Sequence, residues 1–164
     1  MQAQCFGGAP PESVAPAVTP TDVLSALRRV GLPRLETRMQ PGDRTLANLD
    51  TIFWTDPVPV DLTLTILGQP VRVAAAPASY RWVYGDGAVA VTSSPGDPYP
   101  QRTVVHRYSD AHVTVHPHVE VTYSARFQVN GGPWQDVPGT VTTVGPETNL
   151  RVVEGAALLS GAHE

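Results

Sequence analysis

A chain of 164 residues, 41% hydrophobic and only 16% charged, fits one packed core with an appendage better than two full domains. Its formal net charge of −4, with no basic run, argues against a nucleic-acid partner, because neutralising phosphates takes a basic face. The single cysteine, Cys5, excludes an internal disulfide and a multi-thiolate zinc site, and no run of about 18 apolar residues exists to span a membrane.

Residues 1–19 read as a leader. Gly7-Gly8-Ala9-Pro10-Pro11, followed by Pro16, holds too little apolar surface to fix itself, so a flexible or extended arm is expected. Met1–Gln4 carry no apolar segment of the signal-peptide kind. Cys5 raises lipid anchoring through its thiol as an expectation. A short helix is predicted next. Thr19 is a good N-cap, Pro20 suits the first helical position, and Asp22 stands three after the cap. Val23, Leu27 and Val30 recur at helical spacing with Leu24 beside them, and Gly31 and Pro33 close the helix. Arg28, Arg29, Arg34 and Arg38 fall on its solvent side and just after it. One amphipathic helix needs a partner surface, so it is expected to pack on the remainder of the chain.

From Leu35 the apolar period changes from helical to two. The alternation predicts strands over 35–39, 46–55, 61–67, 71–75, 79–84, 89–92, 103–108, 112–115, 119–129, 139–143 and 150–153. Turn signals separate them, among them Pro41-Gly42-Asp43, Gly68-Gln69-Pro70, Gly85-Asp86-Gly87, Pro95-Gly96-Asp97-Pro98 and Asn130-Gly131-Gly132-Pro133. Seventeen prolines and fourteen glycines punctuate chains of this kind, and the frequent Val and Thr favour strands. The expected class is all-β, a sandwich of short strands with a short N-terminal helix and a Pro-rich leader.

Two motifs stand within that strand region. Tyr80-Arg81-Trp82-Val83-Tyr84-Gly85-Asp86-Gly87 places Tyr80 and Trp82 on one strand face and ends in a tight turn, where Gly85 and Gly87 tolerate positive φ and Asp86 can accept turn N–H groups. About twenty residues on, Val105-His106-Arg107-Tyr108 ends a strand. Together they resemble the signature of the PKD family of immunoglobulin-like domains: a Trp-Asp-Phe-Gly-Asp-Gly segment followed by His-x-Tyr. Val83 stands where the family has an acidic residue and Tyr84 where it has Phe. The resemblance covers roughly 59–154. It implies an immunoglobulin-like, PKD-type β-sandwich with Trp82, Tyr84, Gly85, Asp86, Gly87, His106 and Tyr108 as its structural motif, in a secreted or cell-envelope bacterial protein of actinobacterial type. All eleven basic residues are arginine, as in GC-rich genomes. The lack of lysine also excludes a Lys–Asn isopeptide crosslink and a lysine Schiff base. The domain reading is therefore a leader over 1–19, a helix and extended strands over 20–58 packing on the sandwich, and a PKD-like sandwich with a C-terminal tail over 59–164.

Candidate chemistry is sparse. His112, His116, His118 and Glu120 share even positions among odd-numbered valines, so one continuous strand would present them together as a zinc or copper set. The alternative is an ordinary outward polar face, broken in register by Pro117. Asp86 is a turn residue before it is a calcium ligand, since calcium takes about six or more oxygens. His106 is expected to hydrogen-bond a nearby backbone carbonyl. The loop Ser93-Ser94-Pro95-Gly96-Asp97-Pro98-Tyr99-Pro100 is the best ligand-binding candidate: three prolines pre-order it and Tyr99 offers an aromatic ring with a polar tip. Its alternative reading is a rigid connector. Trp54 and Trp134 are the other candidate contacts. One of Phe53 and Trp54 should be buried and the other exposed, and Trp134, after Gly-Gly-Pro, is placed as a cap on the sandwich end. No nucleophile-elbow, phosphate-loop or metalloprotease motif occurs. The expected function is non-enzymatic and cofactor-free: recognition of a protein or carbohydrate at the cell surface, or, alternatively, a structural subunit or spacer of a surface assembly.

Overall fold

The structure, a computed structural model, describes residues 17–155. The expectations for the leader before residue 17, for Cys5 and for the tail beyond 155 lie outside the described residues. The predicted helix forms as α1, Pro20–Val30. Its cap is reciprocal: the Asp22 N–H donates to Thr19 Oγ1 at 3.2 Å and the Thr19 N–H donates to Asp22 Oδ2 at 2.9 Å, which satisfies two otherwise orphaned donors. Gly31, at φ +87°, ends it. Val23, Ala26 and Leu27 are buried, whereas Val30, assigned to the apolar stripe from its spacing, is 57% exposed. Among the described residues no helix is long and apolar enough to cross a membrane.

The other regular elements among the described residues are strands. In chain order these are β1 Arg38–Gln40, β2 Arg44–Leu46, β3 Asp50–Trp54, β4 Val60–Ile66, β5 Gln69–Val83, β6 Val89–Thr92, β7 Val104–Arg107, β8 Val113–Val115, β9 His118–Val129, β10 Gln135–Asp136, β11 Val141–Val144 and β12 Leu150–Val153. The largest sheet has six strands. Its spine is the long antiparallel pair β5–β9; β4 and β6 lie along β5, and β10 and β11 lie along β9. Two three-stranded sheets, β1-β3-β7 and β2-β12-β8, complete the fold. Among the described residues the result is an all-β, sandwich-like arrangement with the short helix α1 as its one full helix.

The core explains the layering. Along β5, Val71, Val73 and Ala75 point inward, and so do Tyr80 and Trp82. The inward parity thus changes from odd to even. The cause is a bulge at Pro77–Ser79, where the register against β9 slips by one residue. Sequence alternation breaks there, so the expected strands 71–75 and 79–84 are one strand; a bulge accommodates the proline without ending the pairing. Phe53 of β3 meets Trp82 at 6.4 Å and Tyr84 at 5.0 Å between ring centroids, and Val115, Leu150 and Val152 join the same core. The expected strand 46–55 is likewise revised. It is split by a turn at Asn48, φ +65°, because β2 and β3 belong to different sheets.

Helix α1 packs against β4 and β11, on opposite sides of the β5–β9 spine, so it crosses the inner face of the large sheet. The segment after it is held by the Tyr123 hydroxyl, which donates to the Pro33 carbonyl at 2.7 Å, and by Arg34 Nε, which donates to the Val144 carbonyl at 2.6 Å.

Candidate functional site

The Gly-Asp-Gly corner and the His-x-Tyr strand end meet. Gly85 and Gly87 take φ +91° and +95°. Asp86 Oδ1 accepts the Ala88 N–H at 3.0 Å, and Oδ2 lies 2.8 Å from His106 Nε2. The His106 ring stacks flat on Tyr84 at 4.0 Å and meets Tyr108 edge-on at 4.8 Å. The Tyr108 hydroxyl donates to the Tyr84 carbonyl at 2.8 Å. His106 therefore bonds a carboxylate rather than the backbone carbonyl expected from sequence. Burial pushes the Asp86 carboxyl up, but the hydrogen bonds from His106 and the Ala88 N–H outweigh it and hold the group below the usual carboxylate range. A depressed folded value means stability that is present above the unfolded value of 3.8 and lost as pH falls through the lower folded value. Accordingly, Asp86→Asn should cost about 1–2 kcal/mol at neutral pH, with the gap from the parent closing below pH 3.8; urea titrations at several pH values check this.

The four-residue metal expectation is corrected. Pro117 is where the chain leaves β8 in one sheet and enters β9 in another. His112, beside β8, lies 3.2 Å from Glu154; His116 lies 2.8 Å from the Asn149 side-chain oxygen; His118 lies 3.4 Å from Glu120. Glu120 also takes Arg81, at 3.1 Å across β5–β9. Only His118 and Glu120 are brought together, and among the described residues no three His, Cys, Asp or Glu side chains are grouped to hold a metal ion.

The proline loop is anchored at several points. The Ser94 hydroxyl accepts the Gly96 N–H at 3.0 Å, the Pro95 carbonyl accepts the Thr55 N–H at 2.9 Å, and Gly96 bridges to Trp54. Asp97 Oδ2 accepts the Thr103 hydroxyl at 2.8 Å, so this candidate contact staples the loop. The Tyr99 N–H donates to Gln40 Oε1 at 2.8 Å, while Tyr99 as a whole stays 68% exposed. Gln40, Pro41, Asp50, Ile52 and Tyr99 line one cleft of about 350 Å³.

That cleft lies on the outer face of the β1-β3-β7 sheet. Phe53 points inward at 0% exposure, so alternation along β3 turns Asp50, Ile52 and Trp54 outward. The pairing sets Gln40 opposite Ile52 and Arg38 opposite Trp54. Phe53 is the buried member of the Phe53–Trp54 pair, as expected, but Trp54 is half-buried rather than exposed. Asp50 is held by Arg107 at 2.8 Å and Arg102 at 3.8 Å. Its carboxyl is lowered first by the Arg107 hydrogen bond, against a smaller rise from burial. Chemically, the face offers a flat exposed ring, an ionised carboxylate in an arginine fork and an amide beside an aliphatic floor.

Trp134 lies elsewhere. Its ring sits 5.0 Å from the guanidinium of Arg126 and 5.7 Å from that of Arg72, outward residues of β9 and β5. It covers the outer face of the large sheet instead of capping the sandwich end. The structure thus joins Tyr99, Asp97 and Trp54 around one face and leaves Trp134 out. Gln40, Asp50, Ile52 and Arg107 were missed from sequence; the period-two pattern in Asp50–Trp54 was the available signal, but the loop that brings Tyr99 to it is about fifty residues away in the chain. A scan against family models found none that matches the chain, and searches of curated proteins and of solved structures found no match either.

Proposed function

We propose that this chain is a non-enzymatic interaction module of the cell exterior, built as a PKD-type immunoglobulin-like sandwich, that recognises a protein or carbohydrate through the Tyr99 face. The family reading draws support from the way its two motifs converge: Tyr84, Asp86, His106 and Tyr108 form one stacked and hydrogen-bonded cluster beside the buried Trp82. The binding reading rests on one observation: an aromatic ring that is largely exposed stands on a loop pinned by Gly96, Asp97 and Gln40. Ordering the loop in advance spares the entropy that binding would otherwise cost. Tyr is favoured at such surfaces because it brings a large contact area, few rotatable bonds and a hydroxyl.

The test is a glycan array together with immobilised native cell envelopes, probed with the parent protein, Tyr99→Ala and Trp134→Ala. The parent should bind at least one of the two, Tyr99→Ala should bind about tenfold more weakly or worse, the loss of about 1.4 kcal/mol, and Trp134→Ala should match the parent. No binding to either surface, or equal loss in both variants, contradicts the assignment.

A further inference from the structure

We propose that two copies of this chain join edge to edge through β4, as an antiparallel pair with a two-fold axis at Thr63. β4 pairs with β5 on one side, in unbroken register from Val60 opposite Ala75 to Ile66 opposite Gln69. Among the described residues its other side meets no strand; α1 touches β4 but also β11 beyond the β5–β9 spine, so it runs across the face of the sheet. Alternate residues of a strand turn their N–H and C=O groups away from the paired neighbour, so β4 presents a row of open backbone groups.

Folds ordinarily blunt such an edge with shortness, proline, lysine or a bulge. The strands β1, β2, β7 and β8, which border the two smaller sheets, have three or four residues each. β4 has seven, Val-Asp-Leu-Thr-Leu-Thr-Ile, with no proline, lysine or bulge. Leu62 and Leu64 point toward the core yet remain only partly buried, which leaves apolar surface at the flank that an added strand would cover.

The edge also specifies its occupant. A two-fold axis at Thr63 sets Thr63 opposite Thr63, Leu62 opposite Leu64, Asp61 opposite Thr65 and Val60 opposite Ile66 of the second copy. Inward residues then meet inward residues and outward meet outward, whichever set carries the open backbone groups. The only charge on the strand, Asp61, faces a threonine and is already held by Arg72 at 2.8 and 3.1 Å. No like charges are brought together, and in this register each open β4 N–H faces a carbonyl oxygen of the second copy and each open carbonyl an N–H. Pairing through this edge is independent of the Tyr99 face, which belongs to another sheet; display of two such faces by one dimer would rest on the function proposed above.

Light scattering of the full chain over a wide concentration series tests this. The parent should pass from monomer to dimer mass as concentration rises. Thr63→Glu and Thr63→Arg alter an exposed side chain and should keep the parent's circular dichroism. Each sets like charges opposite one another, and should weaken dimerisation about tenfold or more. An equimolar mixture of the two should regain dimer mass. A parent that stays monomeric throughout, variants that dimerise like the parent, or a mixture that stays monomeric would each overturn the proposal.

Discussion

Trp82→Ala is expected to remove about 3–5 kcal/mol of stability, the range for truncating a large buried aromatic. Trp82 is fully buried and stands where the layers meet, with Phe53 from the opposing sheet on one side and Tyr80 at 6.3 Å on its own strand. Its indole N–H donates to the Thr92 hydroxyl at 2.9 Å, which in turn donates to the Ser94 carbonyl at 2.7 Å. Deleting the ring opens a cavity and removes the donor that satisfies Thr92. Trp82→Phe keeps most of the apolar volume and loses the hydrogen bond, so about 1–2 kcal/mol is expected. Urea titrations resolve both, with a lower midpoint and an unchanged slope. An alanine variant within about 1 kcal/mol of the parent would mean that the layers do not close around this side chain.

Gly96→Ala combines two costs at one residue. Gly96 has φ +79°, a conformation that charges a side-chain-bearing residue about 1–2 kcal/mol. A Cβ there would also press on the Phe53 carbonyl oxygen and fall 2.9 Å from Trp54 Cα. Both are backbone atoms of a core-bordering strand, so the loop must lift rather than the strand yield. Lifting breaks the Thr55–Pro95 hydrogen bond. We expect a total loss of about 2–4 kcal/mol, along with weaker recognition through the Tyr99 face. Gly131→Ala is the control: its φ is +74° with nothing within 4 Å of an added Cβ, so only the backbone cost should appear. Equal losses at the two positions would show that the close approach at Gly96 contributes nothing.

Local rules of the chain were legible wherever local physics decides. Thr19, Pro20 and Asp22 marked the start of α1, and Gly31 its end, because capping is satisfied within a few residues. Alternation around Trp82 placed Tyr80 and Trp82 inward, since a pleated strand allows only two faces. What alternation does not carry is continuity through a bulge, so it predicts two strands where β5 is one. Nor does it say which sheet a strand enters. His112, His116, His118 and Glu120 looked like one face only on the assumption of one strand, and Pro117 separates two sheets. Within the site, Tyr99 and Trp54 stood out as large aromatics among turn residues. Asp50, Gln40 and Arg107 did not, because their roles arise from cross-strand neighbours distant in the chain.

Recognition through this face depends on Tyr99 being held in place before any partner arrives. Backbone amide relaxation by NMR on the free protein measures this for Gly96, Asp97 and Tyr99. Order parameters near 0.85, level with those of β5 and β9, are the predicted result; values below about 0.6 over the same residues would show a loop that must be ordered on binding, and would contradict it.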